Sequence, residues 1–157
     1  MTWLEMSALG VAMRETGVWI YALVNLGHIF GISLLFGAIV VLDLRLLGFW
    51  RWIPLDLMAR PTTVVAGTGF AIAVLTGPAL LATKATEYLG NPFLPIKLVA
   101  IVLGVINIAI VHNLPAWKQR ANPQLGAAQR RQLAIAGSAS LVCWVSAISA
   151  ARLIAYW

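Results

Sequence analysis

The sequence predicts an all-α integral membrane protein: a four-helix bundle preceded by a short N-terminal interfacial helix. Three observations predict this fold class. Of 157 residues, 61% are hydrophobic and only 10% charged, whereas a soluble domain carries about 25% charged residues. Four apolar runs are long enough to cross a bilayer, which takes about 20 mostly apolar residues. The basic residues gather in the short links between those runs, as they do in multi-pass proteins.

The elements follow in order. Residues 3–13 read as an amphipathic helix lying on the membrane surface. They do not read as a signal peptide, because Glu5 precedes any basic residue and the apolar stretch is short. The first span is predicted at about 17–42, the second at 62–83, the third at 93–114 and the fourth at 132–155. Prolines punctuate them. Pro54 and Pro61 break the first link, Asn91-Pro92 opens the third span and Pro115 ends it. Asn122-Pro123 reads as an N-cap followed by proline at the first helical position, starting the fourth helix ahead of its span. Thr76-Gly77-Pro78 should kink the second span and free a backbone carbonyl. Gly27 with Gly31, and Ser33 with Gly37, have the small-xxx-small spacing that lets helices approach closely.

Lys and Arg set the orientation. Seven of them (Arg45, Arg51, Arg60, Lys118, Arg120, Arg130, Arg131) fall in the links after spans one and three, against Arg14, Lys84, Lys97 and Arg152 on the other side. This places both links inside and both termini outside. The net charge of +6 is thus topological. No aromatic-and-basic stripe for stacking bases is present, and no nucleic-acid partner is expected. The lone Cys143 allows no disulfide within the chain and no cysteine-based metal cluster.

An ionisable group inside hydrocarbon is costly and marks a candidate site. His28 is such a group, about 15 Å below the outer boundary at the rise of an α-helix. Tyr21, Asn25 and His28 share one stripe of the first span. Counting from the same boundary brings Thr76, Asn107 and Ser146 to a similar depth, with Lys97, Ser149 and Arg152 nearer the outer surface. His112 belongs near the inner end of the third span, level with Asp43, with which it can pair. Asp43 and Arg45 can also pair locally. No phosphate-binding glycine loop, no serine–histidine–carboxylate set and no two-histidine zinc motif is visible.

The stretch HIFGISLLFGAIVVLDLRLLG, residues 28–48, resembles the first span of an uncharacterised family of small bacterial four-helix inner-membrane proteins. In that family a histidine, spaced glycines and a terminal DLRLLG recur. The later TGP at 76–78, NPF at 91–93 and Lys97 fit the same pattern. A looser resemblance is to bacterial membrane protoporphyrinogen oxidase and to the copper-resistance membrane domain, which have a histidine early in one span and a lysine opening a later one. His28 and Lys97 match by position. The tryptophan-glycine and proline-arginine signatures of the oxidase are missing, so the resemblance implies porphyrin binding rather than oxidase activity.

Three readings stand open. In the first, the protein binds a b-type haem or related porphyrin for electron transfer or porphyrin handling. His28 would be the axial iron ligand, with His112 the second metal ligand. Lys97 and Arg152 would hold propionates, and Tyr21 or Asn25 would orient the His28 ring. In the second, it is a non-enzymatic accessory or structural subunit packed against itself or a partner membrane protein. In the third, several copies form a small transporter.

Overall fold

The computed structural model describes residues 1–15, 17–122 and 125–157. The described residues are helical throughout, joined by turns, with no strand. In chain order the helices are α1 (Thr2–Glu5), α2 (Ala8–Glu15), α3 (Val18–Leu47), α4 (Leu55–Thr83), α5 (Phe93–Asn113), α6 (Pro115–Lys118) and α7 (Ala127–Leu153). Short 3-10 turns cover Ala85–Tyr88 and Ile154–Tyr156. α3, α4, α5 and α7 with its closing turn are long and apolar enough to cross a membrane. They carry many exposed apolar side chains. On α5, Ile96, Leu98, Val99, Val102, Leu103, Ile106 and Ile110 are all exposed, a pattern that would be unfavourable in water.

The long helices depart from the expected spans mainly by overrunning them. α3 continues past residue 42 to Leu47 and ends in a Schellman turn. The Gly48 amide donates to the Arg45 carbonyl and the Phe49 amide to the Leu44 carbonyl, with Gly48 at φ 105°. Such a turn needs a residue tolerant of positive φ after the last helical one, and glycine supplies it. α4 starts at Leu55, so Pro61 lies within the helix instead of breaking the link. Its missing N–H removes one hydrogen bond near the helix start. Beside it, the Thr62 and Thr63 hydroxyls donate to the Met58 and Ala59 carbonyls at 2.7 Å each. α4 also continues through Thr76-Gly77-Pro78.

The expected single surface helix is two, α1 and α2. The Ser7 hydroxyl donates to the Leu4 carbonyl and accepts from the Gly10 amide, ending one helix and capping the next. α7 begins at Ala127 with Gly126 as N-cap, not Asn122; Pro123 lies outside the described residues. The Gly126 amide donates to Gln129 Oε1 at 3.0 Å, half of a capping box.

The chain divides into two compact units. The first holds Met1–Phe36 and Val65–Asn91. Here α3 and α4 meet through glycines. A Cβ at Gly69 would fall 2.5 Å from the Gly31 carbonyl oxygen and 2.5 Å from the Leu35 nitrogen. A Cβ at Gly31 would fall 2.8 Å from Ile72 Cγ2. Neither position admits a larger residue without separating the helices. α2 joins the same unit through Gly10, whose missing Cβ leaves room for the Ala82 carbonyl. Glu5 caps the turn after α4: the Thr86 hydroxyl, at 2.8 Å, and the Thr86 amide, at 3.2 Å, donate to its carboxylate. These two donors hold the Glu5 carboxyl below its ordinary value, the hydroxyl contributing most.

The second unit holds Gly37–Val64 and Pro92–Trp157. Its core gathers Leu46, Leu55, Ala59, Val111, Ala116, Trp117, Leu125, Leu133 and Ala136. α5 and α7 pack along their length. The Trp144 ring lies over Gly104, where a Cβ would sit 3.1 Å from it. Asn107 Nδ2 donates to the Ala136 carbonyl at 3.1 Å, so a polar side chain of one span is satisfied by the backbone of another.

Candidate functional site

His28 projects from the middle of α3, and α4 supplies its partner. His28 Nδ1 lies 2.7 Å from Thr76 Oγ1. Thr76 Oγ1 also lies 2.6 Å from the Ile72 carbonyl of its own helix. A carbonyl only accepts, so the single hydroxyl proton of Thr76 goes to Ile72. Thr76 therefore accepts from His28, and Nδ1 carries the proton. In the neutral ring the lone pair is then on Nε2. The depth count brought Thr76 level with His28, and the two are in contact. Gly77 makes room for the ring, since a Cβ there would sit 3.3 Å from His28 Cε1. The ring is thus engaged by Thr76. Asn25 is half-buried and Tyr21 exposed, on the same helix.

Lys97, His112 and Arg152 belong to the second unit. Lys97 is half-buried at the start of α5, and makes no ion pair among the described residues. Arg152 is exposed; it bonds the Tyr156 hydroxyl at 2.5 Å and stacks over that ring at 4.7 Å. It is tied to its own helix end, as a snorkelling arginine would be. His112 is exposed, donates from Nδ1 to the Ile108 carbonyl one turn back at 2.9 Å, and lies 5.2 Å from the Trp117 ring. Its expected pairing with Asp43 is not made. Among the described residues, the ion pairs are Arg60–Asp56, Arg120–Asp56 and Lys84–Glu87. No group of three or more His, Cys, Asp or Glu side chains gathers to hold a metal ion among them.

Asp43 is the polar residue that sequence reasoning misplaced. It does not pair with Arg45, whose Nε donates instead to the Ile53 carbonyl at 3.0 Å. Asp43 is buried, 4% exposed, and accepts from Ser140 of α7. Its Oδ2 is buried without a hydrogen-bond partner. Gly137 lets α7 approach the Asp43 backbone, a Cβ there falling 3.2 Å from the Asp43 carbonyl oxygen. The signal was on α7, where Gly137 and Ser140 stand one turn apart on one face.

No known protein family, curated protein or solved structure matches this chain.

Proposed function

We propose that the chain is a multi-pass protein of the bacterial inner membrane, with both termini outside, acting as a non-enzymatic accessory or structural subunit. One observation carries this reading. The most prominent polar side chain of the spans, His28, is engaged by Thr76 at a helix contact built on Gly31, Gly69 and Gly77. The histidine thereby serves to lock two helices together. The apolar outer faces are left for lipid, a second copy or a partner subunit.

A second reading is favoured by the hydrogen-bond direction. A histidine donating from Nδ1 has the tautomer found in metal-ligating histidines. His28 would then be the axial ligand of a haem b, which would supply one-electron chemistry, and Thr76 would fix the ring.

One experiment separates the two. The detergent-purified protein, from cells given haem precursor, is examined oxidised and dithionite-reduced beside His28→Ala. The accessory reading expects a colourless wild type and a variant weakened by about 1 kcal/mol, the worth of an interhelical hydrogen bond. A Soret band that sharpens on reduction and is absent in the variant would replace it with the haem reading.

A further inference from the structure

In the second unit a cavity of about 810 Å³ opens between the end of α3, the turn after it, and the start of α7. Arg45, Arg51, Arg120, Arg130 and Arg131 line it, together with Trp52. Among the described residues no carboxylate lines it. We propose that this cavity is a binding site for an anion bearing two phosphate groups, either a diphosphatidyl lipid headgroup or a free diphosphate.

Three of the arginines are held in place by the fold. Arg45 is anchored through Nε to the Ile53 carbonyl. Arg120 lies 3.1 Å from Asp56 Oδ1, donates to the Trp117 carbonyl and stacks over the Trp117 ring at 5.0 Å. The Arg51 guanidinium folds against Gly48, where a Cβ would come within 2.6 Å of it. The nearby Asp56 is already shared between Arg60, at 2.7 Å, and Arg120. Arg51, Arg130 and Arg131 make no ion pair among the described residues. Arg51 and Arg130 also repel Arg45 through space. A fold that gathers like charges around one cavity carries an electrostatic cost that a bound anion relieves. Guanidinium groups are planar forks that match phosphate oxygens in bidentate fashion. The first turn of α7 adds the positive end of a long helix, since Ala127 also lines the cavity. Five guanidiniums exceed what one phosphate uses, and the volume leaves room for two. Basic pockets of this kind beside membrane helices take multiply charged headgroups.

The lipid arm rests on the membrane reading above, and the free diphosphate arm does not. The full chain is placed in phosphatidylcholine nanodiscs and titrated with inorganic pyrophosphate, following tryptophan fluorescence and the thermal midpoint. A second preparation replaces part of the lipid with cardiolipin. The proposal expects a saturable change with one of the two probes. Pyrophosphate identifies a soluble diphosphate site and cardiolipin alone a lipid site. Arg51→Gln with Arg130→Gln should weaken binding at least about tenfold, since two charge-assisted donors to phosphate are lost. Lys118→Gln, exposed and outside the cavity lining, should leave binding intact. Should the double variant fold poorly, the exposed Arg131→Gln alone should weaken binding in the same direction. No saturable response to either probe would overturn the proposal. So would an equal loss in Lys118→Gln, which would show only diffuse surface charge.

Discussion

Gly69→Ala is the sharpest test of the α3–α4 contact. The added methyl carbon would sit 2.5 Å from backbone atoms of Gly31 and Leu35. Ordinary contact begins at 3.4 Å, so the helices must separate locally by about 0.9 Å, a gap that forfeits a quarter to a half of each dispersion contact across it. Backbone atoms cannot swing aside as a flexible side chain would. Overpacking of this kind costs about 1–3 kcal/mol. The same separation would stretch the His28–Thr76 bond from 2.7 Å to about 3.6 Å, beyond hydrogen-bonding range. Gly67→Ala is the internal control. It lies on the same helix, and a Cβ there meets nothing within 4 Å. Both variants gain about 1 kcal/mol of helix propensity, so their difference isolates the clash. Unfolding in mixed micelles of rising dodecyl sulfate fraction, followed by circular dichroism, should place Gly69→Ala below Gly67→Ala by about 1–3 kcal/mol. Equal stability for the two would refute the close glycine contact.

Three further outcomes are expected. His28→Ala and Thr76→Val should each cost about 0.6–1.7 kcal/mol, and the double variant little more than either; strictly additive losses would show that the two side chains do not act on each other. Asp43→Asn should raise the unfolding free energy by about 1–3 kcal/mol, because it removes charge from a buried site with one unpartnered oxygen while keeping an acceptor for Ser140. A lowered midpoint would mean that the carboxylate has a partner to lose. At the N-terminus, Glu5 has a lowered folded value. Its contribution to docking α1 is therefore complete above the ordinary carboxylate value of 4.5 and disappears as pH falls through the lowered one. Amide exchange of Thr86 should accelerate only in that acid window, and Thr86→Ala should show the faster exchange at neutral pH; acceleration in the wild type well above 4.5 would contradict the sign.

The four long helices could be read from the sequence because their apolar runs leave few alternatives, and Pro92 and Pro115 mark real boundaries of α5. The level of His28 with Thr76 also came from counting turns. Other features depended on facts that counting does not supply. Hydropathy falls at Asp43, so the first span was stopped there, although Gly48 carries the true stop signal. Ser7 splits the surface helix through a side-chain bond that no hydrophobic pattern reveals. Helices that are apolar all round give no rotational preference, so nothing in α3 alone said that Asp43 faces Ser140. The basic residues of the links are visible in the sequence, but their convergence on one cavity depends on how the turn after α3 folds against α7.

The direction of the bond between His28 and Thr76 has a consequence for how the contact weathers a changing environment. Because the ring gives its proton and the threonine receives it, the clasp between α3 and α4 needs no carboxylate acceptor. Glu5 is the opposite case in the same unit, since a carboxylate that takes on a proton gives up part of its role as acceptor. One joint of this unit is built without a carboxylate, and the other is released by acid.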